Sequence, residues 1–147
     1  MRLQAIDKEG KEFETDTEKW NESRTVLYFY PKDSTSGCTK EACDFRDNMG
    51  RLTAMAEVVG VSPDSIVSHK KFQQKQGLNF TLVADTEHLL AEHFGVWKEK
   101  SMYGRTYMGI ERSTFILDGR GRVLREWRKV KVAGHVEEVM RALKELA

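Results

Sequence analysis

Long hydrophobic runs, cysteine and any excess of one charge are scarce in this sequence. Its 147 residues contain no run of about 18 consecutive apolar residues, so no membrane-spanning helix is expected. The opening segment Met1 to Gly10 has no apolar stretch followed by a small-residue cleavage site, and the chain therefore reads as cytoplasmic. Lys and Arg number 24 against 23 Asp and Glu, interspersed to a net charge of +1. That balance gives no electrostatic footprint for nucleic acid or an anionic membrane as partner. The four histidines (His69, His88, His93 and His135) show no ligand-like spacing, which argues against a metal cofactor. Cysteines number two, too few for a disulfide framework. In a reducing compartment such a pair points instead to catalysis, redox sensing or metal binding.

What is present is ordinary globular composition, 39% hydrophobic and 32% charged, at a length that suits one domain over residues 1–147. No repeat, low-complexity tract or linker divides it. Arg24 to Tyr30 is a short apolar and aromatic run ended by Pro31, the pattern of a strand buried on both faces. Further strands are expected at Val58 to Ser62, Phe80 to Ala84, Ser113 to Asp118 and Val123 to Arg128. Between the first three lie helical patterns. Thr39 to Met55 places Ala42, Phe45, Met49, Leu52 and Ala56 on one stripe. Ser62-Pro63-Asp64 opens a second helix stopped by Gly77, with Ser62 as cap and Pro63 at the first helical position. A short helix from Thr86 to Phe94 ends at Gly95, and a last one carries Val136, Val139, Met140, Leu143 and Leu146 on one face. Asp118 to Gly121 reads as a hairpin turn, while Lys98 to Glu111 has no firm period and reads as a surface loop or a site wall. The order predicts a single-domain α/β thioredoxin-like fold, a central mixed, mainly parallel sheet flanked by helices.

Cys38 and Cys43 stand directly after the first buried strand, at the start of the first helix. Free backbone N–H groups and the positive end of the helix dipole favour a thiolate there, and a thiolate is a nucleophile. Cys38 lies four residues before Ala42 on the inward stripe, whereas Cys43 falls one residue beyond it. Five residues of intact helix hold two Cα atoms about 8.6 Å apart. A disulfide needs less than about 7 Å, so a redox-active pair requires the first turns to unwind. A thioredoxin-type dithiol has two intervening residues where this chain has four, which disfavours a simple disulfide reductase. A cysteine phosphatase loop is excluded because Asp44 stands where its arginine is needed. A buried structural cysteine is the bland alternative.

The neighbours narrow the choice. Pro31, Thr35 and Cys38 match the Pro-x-x-x-Thr-x-x-Cys signature of peroxiredoxins. Phe-Tyr-Pro-Lys-Asp at 29–33 and Gly-Cys-Thr-Lys-Glu-Ala-Cys at 37–43, followed by Phe45, Arg46 and Asp47, resemble the peroxiredoxin Q branch, also called bacterioferritin comigratory protein. The likeness continues through Val59 to Asp64, Phe94 to Trp97, Gly109 to Asp118 and Gly134-His135. The resemblance implies a peroxidase that reduces hydrogen peroxide and organic hydroperoxides. Cys38 becomes a sulfenic acid, Cys43 resolves it as an intramolecular disulfide, and thioredoxin or a similar dithiol protein recycles the pair without a cofactor. It also places the active-site arginine at Arg112, with Thr35 and the N–H groups of Gly37 and Cys38 polarising the peroxide, and it implies a monomer.

The alternatives are a disulfide oxidoreductase on the same fold and a redox-controlled binding protein or holdase. Glu41 reads as a solvated first-turn glutamate that complements the helix dipole, and His135 as a cap or surface group. Tyr28, Tyr30, Trp97 and Trp127 read as packing residues. Two positions depart from the branch. Ser36 stands where it has proline, which predicts a more mobile loop. The usual Ala-Pro-Asp-Phe opening is missing, so an edge strand or its cover is expected to be absent or replaced.

Overall fold

The computed structural model describes residues 1–17 and 23–147. Two short strands open it, β1 (Arg2–Ile6) and β2 (Glu12–Asp16), joined at Asp7, whose carboxylate accepts hydrogen bonds from the N–H groups of Glu9 and Lys11 at 2.8 and 2.9 Å. The chain continues through β3 (Thr25–Phe29), α1 (Ser36–Asp47), α2 (Met49–Leu52), β4 (Glu57–Ser62), α3 (Ile66–Gln76), β5 (Thr81–Ala84) and α4 (Leu89–His93). It ends with β6 (Trp97–Met102), β7 (Arg105–Ile110), β8 (Ser113–Leu117), β9 (Val123–Trp127) and α5 (His135–Leu146). Seven strands form one mixed sheet in the order β2-β1-β5-β4-β3-β8-β9, and β6 and β7 make a separate hairpin. Parallel pairing is confined to its centre, β3 with β4 and β4 with β5; the flanking pairs are antiparallel. The first strand of the chain pairs with β5, so a hairpin forms the edge where an absent or replaced strand was expected.

β3 is buried along its whole length because the sheet is covered on both faces. Its alternating side chains divide the core: Val26 and Tyr28 face one cluster with Cys38, Phe45 and Phe72, and Leu27 and Phe29 face another with Leu90, Val96 and Phe115. Gly60 sits opposite Tyr28 in the β3–β4 register, and a Cβ there would stand 2.9 Å from the Tyr28 ring and from Leu82. That missing side chain makes room for Tyr28 to stack on Phe45 at 4.5 Å between ring centres. The stack seats α1 over the strand that leads into it.

Three helices differ from their sequence patterns. The long first helix is two, interrupted at Asn48, whose side-chain amide donates to the Asp44 carbonyl at 2.7 Å and so competes with the helical ladder. The second helix starts at Ile66 with Ser65 as its cap, because Ser62 donates its hydroxyl to the Asp64 carboxylate at 2.6 Å. The short fourth helix begins at Leu89, where the buried Asp85 carboxylate receives the Leu90 and Ala91 N–H groups. Gly77 ends α3 with φ of +62°. Residues 98–111 lie largely in the β6–β7 hairpin, turning at Tyr103-Gly104, both with positive φ. Exposure of most of its side chains explains why no apolar alternation marked it.

Candidate active site

α1 begins at Ser36, immediately after the chain leaves β3, so Cys38 occupies its first turn. The first helical bond of this segment runs from Thr39 N–H to the Thr35 carbonyl at 2.8 Å. The N–H groups before it have no intrahelical acceptor and face the end of the helix that attracts negative charge. Cys38 is buried at 1% exposure and Cys43 is half-buried; both are free thiols.

Arg112 reaches the same place from the opposite direction. β8 runs antiparallel to β3 with Ser113 opposite Phe29, so the residue before Ser113 lies beside the exit of β3. Its Nη2 donates to Cys38 Sγ at 3.2 Å and its Nη1 to Glu41 Oε1 at 2.6 Å. Burial pushes the Arg112 pKa down, but the negative charges of Glu41 and a Cys38 thiolate outweigh it and raise it above the ordinary value. The guanidinium is therefore a fixed cation in contact with the sulfur, 74 residues away in sequence. Gly37 lies under it: a Cβ there would stand 3.4 Å from Nη2.

Pro31 and Thr35 complete the loop between β3 and α1. Thr35 is the helix cap residue by backbone position, yet its hydroxyl makes no cap bond and donates to the Lys32 carbonyl at 2.9 Å. Its donor thus committed, the oxygen has lone pairs to offer an incoming hydroxyl. The structure brings Pro31, Thr35, Gly37, Cys38 and Arg112 to one end of the sheet. Cys43 lies apart, its thiol donating to Gln76 Oε1 at 3.7 Å at the end of α3.

Sequence reasoning missed Glu41. It is not a solvated first-turn residue: it is 0% exposed, and among the described residues only Arg112 pairs with it. Its second oxygen has no hydrogen-bond partner among the described residues. Burial raises its pKa from 4.5 to about 7, against the opposing pull of Arg112. The only signal in the sequence was its spacing, three residues after Cys38 on the inward side of the helix. The hydroxyl of Tyr28 is likewise buried without a partner among the described residues; burial first, then the charges of Glu41 and Cys38, raise its pKa well above the ordinary value. His135 is buried rather than at the surface, within 2.8 Å of the Thr114 hydroxyl. Burial and then Arg112 lower its pKa to about 4, so it stays neutral at physiological pH. No group of three or more His, Cys, Asp or Glu among the described residues is arranged to hold a metal ion.

Comparison with known proteins places this geometry. Residues 2–125 match the AhpC/TSA family. Peroxiredoxin Bcp of Bacillus subtilis is 56% identical over 123 residues, 83% of this chain and 78% of the relative. That of Escherichia coli is 44% identical over 125 residues, covering 84% and 80%. Among solved structures, peroxiredoxin Q of Xanthomonas campestris superposes with a TM-score of 0.91 at 44% identity over 99% of this chain and 90% of that one. A second structure from that organism, of bacterioferritin comigratory protein, concerns its alkyl peroxide reduction activity in trapped intermediate and ligand complexes, with a TM-score of 0.90 at the same identity and coverage. A cysteine at the helix start, held by an arginine from a neighbouring strand, thus sits in a chain that belongs to the AhpC/TSA family, in its Bcp/peroxiredoxin Q branch, and is a thiol peroxidase.

Proposed function

We propose that Cys38 is the attacking thiol of this peroxidase and Cys43 its resolving partner, acting on hydrogen peroxide and organic hydroperoxides. The observation that carries the reading is the 3.2 Å contact from Arg112 Nη2 to Cys38 Sγ at the start of α1. Arg112 touches the sulfur, the free N–H groups of the first turn lie at the same helix end, and the Thr35 hydroxyl belongs to the residue that leads into that turn. They are placed to bind a peroxide and to stabilise charge as its O–O bond breaks. Pro31 fixes the exit from the strand.

The Cys38 thiolate takes one oxygen of the peroxide and is oxidised by two electrons to a sulfenic acid. The other oxygen leaves with a proton as water or an alcohol. Cys43 sulfur then attacks Cys38 sulfur, hydroxide leaves and takes a proton to become water, and a disulfide remains. Both cysteines lie in one intact helix, where five residues separate Cα atoms by about 8.6 Å, so α1 must unwind before the second bond forms. Thioredoxin or a similar dithiol protein returns the disulfide to two thiols. All electrons come from thiols, so the cycle calls for no metal, haem or flavin. The site is formed within one chain, which fits a monomer working in the cytoplasm. The alkyl peroxide reduction of the Xanthomonas relative supports an organic hydroperoxide as substrate.

The test is single-turnover stopped flow with thioredoxin-coupled turnover and mass spectrometry of the cysteines. Cys38→Ser should abolish peroxide consumption; turnover at the parent's rate would sink the assignment. Cys43→Ser should still oxidise once, stop at the sulfenic acid and lose recycling, and unchanged multiple turnover would show another resolver.

A further inference from the structure

Asp33 lies between Pro31 and Thr35, and the peroxidase chemistry makes no use of it. It is nonetheless 5% exposed, and three polar side chains converge on it. Tyr30 donates its hydroxyl to Oδ1 at 2.6 Å, Ser68 donates its hydroxyl to Oδ2 at 2.8 Å, and His69 Nδ1 stands 2.7 Å from Oδ2. His69 is fully buried, and its Nε2 lies 2.9 Å from the Val83 carbonyl. A carbonyl only accepts, so Nε2 carries a proton. Nδ1 faces the Asp33 carboxylate and closes the network. The Ser68–Asp33–His69 group is no hydrolase triad, because Nε2 is closed off by Val83 and the serine bonds the aspartate. The Asp33 N–H donates to Asp64 Oδ2 at 2.8 Å, so backbone and side chain together tie the loop to α3, to β5 and to the turn after β4.

The next residue shows what this attachment holds in place. Ser34 has φ of +64°, a left-handed backbone that is unfavourable for a non-glycine residue. Such a conformation persists where surrounding contacts over-determine it. It turns the chain from Asp33 into Thr35 and the first turn of α1, and so sets where the Thr35 hydroxyl and the N–H groups around Cys38 point.

We propose that Asp33 and His69 are positioning residues that fix the upstream boundary of α1 unwinding: the helix melts from Ser36 onward while Tyr30 to Thr35 stay in place. The peroxide-binding half of the site then survives each melting step and is ready when the helix re-forms. The inference rests on Cys38 being the attacking thiol.

The test separates the two chemical steps. Asp33→Asn and His69→Gln are each oxidised with excess hydrogen peroxide in the stopped flow, and the disulfide-forming phase is resolved from the oxidation phase. Mispositioning by about 1 Å can cost up to about a hundredfold in rate, and each variant is expected to lose at least about tenfold in the oxidation constant. Disulfide formation should be unchanged or faster, and the double variant no slower than the worse single one. An oxidation constant within about twofold of the parent's in a folded variant overturns the inference. So does an equal loss in both steps that simply tracks a fall in Tm. Hydrogen exchange on the parent protein gives an answer even if a variant does not fold. Residues 30–35 should keep their protection in the disulfide form while 38–47 lose theirs, and loss of protection at 30–35 refutes the proposal. Failure of the Cys38 assignment is read independently, as peroxide turnover by Cys38→Ser.

Discussion

The loop Tyr30 to Thr35 and the helix α1 are adjacent, and the irregular one is the better anchored. The loop has no helical or strand ladder, yet the Tyr30 and Asp33 side chains are buried and hydrogen-bonded to each other and, through Asp33, to α3. α1 has a regular ladder, but its cap residue makes no side-chain cap bond and its first turn holds no acidic residue. A 12-residue helix of this kind is marginal without tertiary contacts. Its hydrogen-bonded holds on the rest of the molecule include Arg112 at the first turn and Arg46 at the last, donating to the Gln76 carbonyl at 2.6 Å. Regular secondary structure is therefore no guide to which segment moves. In the proposed cycle the segment that moves is the regular one, seated by Phe45 in the core and held by hydrogen bonds at its two ends.

The sharpest way to break that contrast is to remove the hold at the first turn. Arg112→Gln takes a cationic donor from the sulfur and leaves Glu41 buried without its partner. Peroxide oxidation is expected to fall by about a hundredfold or more in stopped flow, since losing one such donor typically costs 10²–10³ in rate. An oxidation constant within about threefold of the parent's would show that the arginine is structural only.

Glu41→Gln acts on the helix rather than on the sulfur. A carboxyl group whose pKa is raised from 4.5 to about 7 binds more protons folded than unfolded across that interval. Its contribution to holding α1 closed is full below about pH 4.5 and declines as pH rises to about 7. In Cys38→Ser protein, which removes titration of the nucleophile, hydrogen exchange of α1 amides corrected for intrinsic rate should show opening that increases about tenfold or more from pH 5 to pH 8. Glu41→Gln in the same background should flatten that dependence. The amides of residues 30–35 should show little of it, and an equal slope in both segments would erase the distinction between loop and helix.

Ser36→Pro is the gentlest probe. Ser36 is the first residue of α1, and Thr35 before it has φ −79° and ψ 157°, a conformation that a following proline favours. Restricting the unfolded backbone should raise Tm by about 1–3 °C and slow disulfide formation by no more than about fivefold, leaving peroxide oxidation unchanged. A drop in Tm would mean that the serine side chain has a structural task.

How much of this was legible depends on the range of the interactions. The β3 run, the stripe Ala42, Phe45, Met49 and Leu52, the stop at Gly77 and the hairpin at Asp118 to Gly121 are local patterns, and local physics reads them. The break at Asn48 and the cap at Ser65 depend on which of several capable polar side chains wins a backbone group, which only packing decides. The β1–β2 and β6–β7 hairpins were missed because short, largely exposed strands show little hydrophobic alternation. Within the site, Cys38, Cys43, Pro31 and Thr35 lie in one contiguous segment and could be found by spacing and motif, and Arg112 by likeness to the family.

The sequence by itself determined that a cysteine pair five residues apart begins a helix after a buried strand, and hence that any bond between the two requires that helix to unwind. Tertiary structure alone decided what surrounds the sulfur. The antiparallel register of β8 on β3 carries Arg112 to Cys38, the burial of that contact draws Glu41 inward with one oxygen unpaired, and α3 presents His69 to Asp33. Each pairs residues at least 36 positions apart in the chain, so no local pattern could encode them. They follow from which strands the sheet sets side by side and which polar groups are buried together as a result.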